Sequence, residues 1–438
     1  ILQCQKNKLN KLKNKVLIIT YYWPPYSSPG VQRWVKFVKY FNKFNIQPYV
    51  YTPQILSIDQ SDDSLILDIP KNVDVIKKPI FLFDKILKVF LPKHYANYSK
   101  GIIPSKEKLS IIDKVLLYFR GNFFIPDPKL FWAKSSVNYL KNYIVLNEID
   151  TIITTGPPHS MHLLGKKLKL LTKVKWLADF RDPWTKIWYN KKFYFTKSTL
   201  NKHKKLEKSV LNEADHIIVT SNRLNVEYSK LTNKPVSTIT NGFDHINDDD
   251  FKLDKKFTIS HIGSMLSDRN PELLWKVLNK LVREVNGLNK FLKLNLVGNV
   301  STEVKESIKK YSLESYVDYI GHITYNQTST YLKNSQLLLL IQTNQVESNY
   351  IIPAKLFEYL NSNRPIISIS NNDDVYNIIN ETNVGFNFQY DQEVKLYNCI
   401  LNYFDKFKND GISILPKNTN NYSRFELTRS VSNIIKNL

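Results

Sequence analysis

Lys355 and Glu358 are two residues of opposite charge in an apolar segment that leads into a buried strand. Pro353 suits the first turn of a helix and the turn residues 361–365 end it, so the two side chains lie one turn apart. A lysine at a helix start favours phosphate, and a carboxylate can accept hydrogen bonds from two ribose hydroxyls. The alternative is a solvated ion pair of small energetic value. The segment therefore predicts either a sugar-nucleotide site or an ordinary ion pair.

A second group of polar residues follows two predicted strands, Thr151–Thr155 and Lys175–Ala178. His159 comes after the first strand, close to a helix start, whereas His162 lies one turn further in and is predicted to pack. Charged residues at the exit of a buried strand must be paired or functional, because uncompensated burial costs several kcal/mol. We expect catalytic residues here: His159, Asp179, Arg181 and Asp182. The alternative is a structural Asp–Arg pair.

The loop after the first predicted strand is rich in proline and aromatic residues. Gly30 in this loop can let a ligand approach the backbone, and Arg33 lies within the first turn of the following helix. These residues are candidates for a ligand-binding site. The alternative is an ordinary rigid turn.

Short apolar runs alternate with segments of helical period along most of the chain, which predicts an α/β fold with parallel sheets. The first half contains predicted strands at 16–20, 48–52, 151–155, 175–178 and 216–220, and a helix over 31–44. The second half repeats the pattern with strands at 257–262, 292–297, 317–320, 337–341 and 365–369. A turn sequence at 240–244 and an acidic run at 248–250 separate the halves, so we expect two domains joined there. Ligands bind such sheets at the carboxyl ends of the strands.

The motifs of several enzyme classes are absent from this sequence. No Gly-x-Gly-x-x-Gly motif follows a predicted strand, and neither a phosphate-binding P-loop nor a Gly-x-Ser-x-Gly elbow is present. The eight histidines are dispersed and no cysteines have the spacing of metal ligands. We therefore expect no metal site and no cofactor.

The chain of 438 residues has 62 Lys and Arg against 39 Asp and Glu, a net charge of +23. Such an excess favours an anionic partner: nucleic acid, a membrane surface or a phosphorylated substrate. The basic residues are spread, and the abundance of Lys, Asn, Ile and Tyr is equally typical of an AT-rich genome. A nucleic-acid-binding protein is therefore an alternative, but no binding motif supports it. We expect no nucleic-acid partner.

Two features bear on the compartment. Cys4 and Cys399 are far apart, which favours a reducing, cytoplasmic location, and neither a signal peptide nor a spanning apolar run is visible. The segment Ile80–Phe124 mixes apolar and basic residues, as a surface lying on an anionic membrane does. Core packing explains it equally well. The first interpretation predicts peripheral association with the inner face of the cell membrane.

A series of motifs resembles the glycosyltransferase family 4 type of GT-B enzymes, particularly bacterial members that build surface polysaccharides. The resemblance covers most of the chain and consists of motifs in a specific order: Tyr22-Trp23-Pro24-Pro25 with Gly30 and Arg33, Ile125-Pro126-Asp127-Pro128, Thr155-Gly156-Pro157-Pro158-His159-Ser160, Asp179-Phe180-Arg181-Asp182-Pro183-Trp184, Asn241-Gly242-Phe243-Asp244, His261-Ile262-Gly263-Ser264, and the helix with Lys355 and Glu358.

The resemblance implies two facing Rossmann-like domains, residues 1–243 binding an acceptor and residues 244–418 binding a nucleotide sugar. A final helix within 419–438 would pack back on the first domain. Glu358 would hold the ribose, while Lys355 and Arg269 would neutralise the diphosphate beside Gly263 and Ser264. Transfer would retain the anomeric configuration without a metal, from a UDP- or GDP-linked donor to a glycan or lipid-linked acceptor.

Two departures from the family pattern affect the residues that would contact the sugar. Many members carry a second Glu eight positions before the one that matches Glu358, where this chain has Tyr350. Many also have a His where this chain has Arg181. A GT-B protein that binds a nucleotide sugar without transferring it is therefore a further alternative.

Overall fold

The computed structural model describes residues 14–26, 28–54, 63–80, 110–245, 252–323 and 325–438. Three features of the sequence analysis lie outside these residues: Cys4, the acidic run 248–250 and most of the apolar-basic segment before residue 110. The chain divides into two compact units. Unit 1 contains the described residues up to Thr240 together with Leu427–Leu438, and unit 2 is Asn241–Glu426.

Within the described residues, unit 1 has a seven-stranded parallel sheet. The strands are β1 Asn14–Ile19, β2 Ile46–Gln54, β3 Asp74–Pro79, β4 Thr151–Gly156, β5 Lys175–Phe180, β6 His216–Val219 and β7 Val236–Thr238. Their order across the sheet is β3-β2-β1-β4-β5-β6-β7. The carboxyl ends of β1, β4 and β5 are therefore neighbours, which brings together the loops with the predicted catalytic residues.

The helices of unit 1 connect these strands. They are α1 Pro29–Phe41, α2 Ile111–Phe123, α3 Leu130–Leu146, α4 Ser160–Thr172, α5 Lys197–Glu213 and α6 Asn222–Ser229. Helix α1 begins after Ser28, whose hydroxyl accepts a bond from the amide of Val31. Trp34, Val35, Val38 and Phe41 are all buried and form the core face of this helix.

Unit 2 has a six-stranded parallel sheet in the described residues. Its strands are β8 Phe257–Ile262, β9 Leu292–Val297, β10 Val317–Gly321, β11 Leu337–Ile341, β12 Ile366–Ile369 and β13 Gly385–Phe388, in the order β10-β9-β8-β11-β12-β13. The helices are α7 Glu272–Glu284, α8 Leu288–Phe291, α9 Thr302–Lys310, α10 Tyr325–Asn334, α11 Ala354–Leu360, α12 Asp373–Thr382 and α13 Glu393–Lys408. Strands β8 and β11, next to each other at the centre, position the residues of the predicted nucleotide site.

The last helix, α14 Arg424–Lys436, begins with the last three residues of unit 2 and otherwise belongs to unit 1. Its residues Leu427, Val431 and Ile435 lie in the apolar core of unit 1 with residues such as Val16 and Trp34. None of the helices in the described part of the chain is both long and apolar enough to cross a bilayer.

All ten predicted strands are present, and the predicted α/β class is confirmed. The three strands that the apolar pattern missed are β3, β7 and β13, and each lies at the edge of its sheet. Strand β3 contains no buried residue and β7 is only three residues long. Edge strands bury less surface than central ones, so their sequences carry less of the apolar signal.

Candidate functional site

The predicted helix around Lys355 and Glu358 is α11, which spans seven residues with Pro353 as its N-cap residue. Its apolar side chains are buried, and the Tyr359 hydroxyl accepts a bond of 3.0 Å from the amide of Ile262 in β8. This bond anchors α11 to the central strands. Lys355 and Glu358, three positions apart, are only partly buried.

Lys355 lies against the backbone of the loop that follows β8. A Cβ placed on Gly263 would be 2.8 Å from the Lys355 Nζ, and Gly263 has a φ of +115°. Only glycine fits this position, because a side chain would meet the ammonium group and strain the backbone. On its other side, Lys355 Nζ lies 3.1 Å from Nε2 of His261.

Lys355 and Glu358 do not form the ion pair that was the alternative interpretation. Among the described residues, neither makes a salt bridge, and the Glu358 carboxylate has no hydrogen-bond partner. The guanidinium of Arg269 likewise has no hydrogen-bond or salt-bridge partner in the described part of the chain. Two cations and a carboxylate therefore lie close together without neutralising one another.

The protonation of this cluster shows the same lack of compensation. The pKa of Lys355 is lowered to about 7: burial has the largest effect, the nearby charge of Arg269 adds to it, and Glu358 offsets only part of the two. Burial also raises the pKa of Glu358, against the opposing effects of Arg424 and Lys355. A phosphate beside Lys355 would stabilise its ammonium form. The cluster is thus suited to an anionic ligand that the protein itself does not supply.

Beyond the ends of β8 and β9, two loops pack directly on each other. A Cβ on Gly298 would lie 2.8 Å from the carbonyl carbon of Gly263, so the backbones are in contact. Beside this contact lies a pocket of about 410 Å³, lined by Gly298, Asn299, Val300, Lys305, Tyr319 and Gly321. No motif in the sequence had indicated this pocket.

In unit 1, Asp179 is fully buried at the carboxyl end of β5. Its Oδ1 accepts a bond of 3.1 Å from Arg33 Nη2, and its Oδ2 accepts bonds of 2.6 Å from Trp34 Nε1 and 2.8 Å from Thr155 Oγ1. The Arg33 side chain is 1% exposed and also donates to the carbonyl of Thr240. Groups with no accessible surface cannot contact a substrate in this conformation, so the arrangement fits a positioning role.

Arg181 does not pair with the aspartates of its own loop, as the structural alternative had supposed. Its Nε donates to Thr155 Oγ1 at 3.1 Å, and its Nη2 donates to the carbonyl of Pro157. Its Nη1 lies where a Cβ of Gly30 would be, at 1.4 Å. The space beside Gly30, which we expected to admit a ligand, is therefore occupied by Arg181.

His159 lies at the N-cap position of α4, where its ring stacks on Trp184 with 4.8 Å between centroids. Burial lowers the pKa of His159 well below its usual value, so the ring is neutral at physiological pH. His162 is fully buried and contacts Thr154 Oγ1 at 2.9 Å, which confirms that it packs. His159 alone of this pair retains some exposed surface.

Asp182 contrasts with Asp179 in the same loop. It is partly exposed and makes no hydrogen bond or ion pair with a described residue. Burial raises its pKa, and the Arg181 charge opposes that change. Asp182 and Asp127 are both close enough to the phenol of Tyr189 to help raise its pKa, after the larger effect of burial. Asp182 is therefore the aspartate of this loop that can still accept a hydrogen bond.

The remaining predicted residues flank the two clusters. Ser264 follows Gly263 and is partly buried, and Tyr350 ends a 3₁₀ turn before α11 and is also partly buried. Two residues near the site had no predicted role. His261 is an ionisable side chain in a fully buried strand, a signal that could have identified it. Arg424, which acts on Glu358, lies 66 positions along the chain, and no sequence pattern links the two.

Comparison with known proteins shows the fold. No protein-family model and no curated protein sequence matches the chain. TarM of S. aureus has a TM-score of 0.60 at 12% identity and covers 96% of this chain and 98% of its own. A glycosyltransferase from Rickettsia africae has a TM-score of 0.59 at 14% identity, covering 97% and 98%. HepE from Anabaena, in complex with UDP and glucose, has a TM-score of 0.59 at 12% identity, covering 97% and 100%.

At such low identity the likeness shows a shared fold. The predicted GT-B architecture, with two α/β units built on parallel sheets, is confirmed. Among the described residues, no cluster of His, Cys, Asp or Glu could hold a metal ion. The roles of individual residues stay predictions that rest on the geometry above.

Proposed function

We propose that this protein is a glycosyltransferase that uses a nucleotide-sugar donor bound by unit 2. The observation that carries the proposal is the set of unneutralised charges at Lys355, Arg269 and Glu358 beside the backbone of Gly263. A nucleoside diphosphate would supply the missing negative charge, and its ribose hydroxyls would donate to Glu358. UDP is the first candidate nucleotide, because HepE of the same fold binds UDP with glucose; GDP is the second.

Lys355 and Arg269 also suit the chemistry of sugar transfer. When the bond from the sugar to the diphosphate breaks, negative charge grows on the leaving phosphate oxygen, and fixed cations nearby stabilise it. Two cationic side chains can supply the charge that a divalent metal supplies in other enzymes. We therefore propose transfer without a metal. Retention of the anomeric configuration is proposed from the family resemblance alone.

The acceptor is proposed to bind unit 1 near His159, Arg181 and Asp182. These three have exposed surface, whereas Arg33 and Asp179 lie beneath them and hold the loop. A neutral histidine and an unpartnered carboxylate can both bind sugar hydroxyls. The proposed acceptor is a glycan or lipid-linked glycan in cell-surface polysaccharide synthesis.

A thermal-shift panel of UDP, GDP, CDP and ADP tests the donor proposal. A ligand at ~100 times its dissociation constant stabilises by about 2.7 kcal/mol, which moves the midpoint by several degrees. We expect one of the four to give this shift in the wild type and a smaller one in Lys355→Ala. The proposal is wrong if no nucleotide shifts the midpoint. Sugar transfer with the selected donor then separates an enzyme from a protein that only binds.

We also propose that the protein associates with the inner face of the cell membrane. Helix α2 carries large apolar residues at every fourth position, each between 47% and 79% exposed: Ile111, Val115, Phe119 and Phe123. Such a stripe together with the net charge of +23 favours an anionic bilayer surface.

Vesicle sedimentation tests this surface. Binding to anionic vesicles is expected to exceed binding to neutral ones and to fall with salt, because attraction between exposed charges is screened over about 10 Å at 0.1 M. The double variant Phe119→Ser/Phe123→Ser should lose most of the binding. Val145→Ser/Leu146→Ser, which also removes two exposed apolar residues but from α3, is the control. Equal recovery on both vesicle types at low salt would contradict the proposal.

A further inference from the structure

His261 is a buried polar residue in the central strand β8, and its two ring nitrogens face different partners. Nδ1 lies 2.9 Å from the carbonyl oxygen of Leu339 in β11, and Nε2 lies 3.1 Å from Lys355 Nζ. A carbonyl only accepts, so Nδ1 must carry the proton. Nε2 then holds a lone pair and accepts from the lysine. The neighbouring strand thus determines the tautomer that Lys355 meets.

This contact directs the lysine toward the proposed phosphate position. Its Nζ is held between the His261 ring and the Gly263 backbone, where only glycine leaves room. A free lysine side chain has many rotamers, and most of that freedom is lost if the ammonium group is fixed. Fixing it before the ligand arrives reduces the cost of binding.

We propose that His261 is a positioning residue that holds Lys355 against the Gly263 loop, so that a nucleoside diphosphate binds with uptake of a proton by this lysine. The inference rests on the proposed function and adds a residue and a proton to it. His261 does not touch the ligand. It acts through Lys355 as a neutral acceptor in a fixed tautomer.

The surrounding charges explain why a proton should be taken up. Arg269, from the turn after β8, disfavours the ammonium form of Lys355, while Glu358 on the same helix as Lys355 favours it. The charge of Arg424 in turn favours the carboxylate form of Glu358. Burial is the largest effect and lowers the pKa of Lys355 to about 7. Because a bound diphosphate favours the ammonium form, the pKa rises in the complex. Affinity should then fall by up to about tenfold per pH unit above neutrality.

Two substitutions at His261 separate positioning from folding. In His261→Asn, the amide can still donate to Leu339 but is too short to reach Lys355. In His261→Gln, the longer side chain can place an acceptor near the position of Nε2. We expect His261→Asn to weaken UDP binding by about tenfold, the loss of one charge-assisted hydrogen bond. The UDP affinity of His261→Gln should stay within roughly threefold of that of the wild type, and neither variant should change its affinity for uridine.

Calorimetric titration in two buffers with different ionisation enthalpies measures both affinity and protons taken up. The wild type should take up protons at pH 8, and Lys355→Gln should take up far fewer. The positioning role would be overturned if His261→Asn bound UDP as tightly as the wild type does. It would also be overturned if this variant lost as much affinity for uridine as for UDP. Absence of proton uptake in the wild type would overturn the second part of the proposal.

A titration without nucleotide distinguishes failure of this inference from failure of the donor proposal. The ¹³Cε resonance of Lys355 in lysine-labelled protein, assigned by its loss in Lys355→Arg, should titrate near neutrality. The midpoint should fall in His261→Asn, because a lost acceptor disfavours the ammonium form, and stay unchanged in His261→Gln. If no nucleotide binds but these midpoints hold, the donor proposal fails and the His261–Lys355 pair stands. Identical midpoints in all three proteins would exclude the pair.

Discussion

The protein contains two clusters of charged residues at the carboxyl ends of parallel strands, and they are built in opposite ways. In unit 1, Asp179 is fully buried and receives three hydrogen bonds, one of them from an arginine with a buried side chain. In unit 2, Lys355, Glu358 and Arg269 are near one another, yet none forms an ion pair with a described residue. The first cluster is complete in its charges, since Arg33 and Asp179 pair with each other, whereas the second lacks a partner for its charges.

This difference separates residues that maintain a site from residues that bind. Removing one partner of a buried ion pair costs several kcal/mol, because the other charge is left buried without compensation. A cluster of charges with shifted pKa values and no internal partner already destabilises the fold, so removing one of its charges should raise the stability of the protein. Substitutions in the two clusters should therefore change stability in opposite directions and change ligand binding in only one.

The largest expected effect is from Asp179→Asn in the complete cluster. Both carboxylate oxygens accept from donors, so the amide nitrogen faces a donor whichever way the side chain is turned. The buried charge of Arg33 also loses its partner. We expect a loss of about 3–5 kcal/mol in the free energy of unfolding of unit 1, measured by urea denaturation.

Asp182→Asn, three residues along the same loop, is the matched control for stability. This carboxylate has no partner among the described residues, so its variant should unfold within about 0.5 kcal/mol of the wild type. If both variants lost equal stability, the distinction between the two aspartates would be wrong.

Glu358→Gln tests the open cluster. One or two charge-assisted hydrogen bonds to the ribose, each worth about 1.5–3 kcal/mol, would be lost, so affinity for the nucleoside diphosphate should fall roughly tenfold to a hundredfold. Stability should be unchanged or higher, because burial already raises the pKa of this carboxyl. Calorimetry and thermal unfolding of the same samples measure both quantities. Unchanged nucleotide affinity would remove the ribose role of Glu358.

The sequence predicted the fold of this molecule better than its sites. Central strands are rich in apolar residues because both of their faces are buried, and each was predicted within a few residues. The candidate catalytic residues were selected by residue type and position, which does not indicate their partners: Asp179 pairs with Arg33, 146 positions away, rather than with Arg181. Likewise, the spacing of Lys355 and Glu358 permitted an ion pair, and only the packing of α11 against β8 shows that none forms. Pairing between distant elements depends on tertiary structure that local spacing does not contain.

Asp182→Asn should also reduce transfer while leaving the donor site intact. The carboxylate offers acceptors only, and the amide replaces one of them with a donor, so a bound sugar hydroxyl would lose its partner. We expect release of nucleoside diphosphate from the selected sugar donor to slow by about tenfold, with unchanged affinity for the nucleotide itself. Normal turnover would show that the exposed aspartate has no part in the reaction.

The most direct comparison of the two clusters comes from replacing one cation in each with methionine. The pKa of Lys355 is about 7 in the folded protein and about 10.4 in an unfolded chain. Between these values the unfolded state binds more protons, so stability of the wild type rises with pH across this window. Lys355→Met removes that rise, and at pH 7 it should be more stable than the wild type by about 1–3 kcal/mol, with the advantage shrinking toward pH 10. Arg33→Met should be less stable than the wild type at every pH, since it leaves the buried Asp179 carboxylate without its cationic partner. Urea unfolding of both variants between pH 6.5 and 9.5 measures the two slopes, and a loss of stability in Lys355→Met would mean that its cluster is as complete as the one in unit 1.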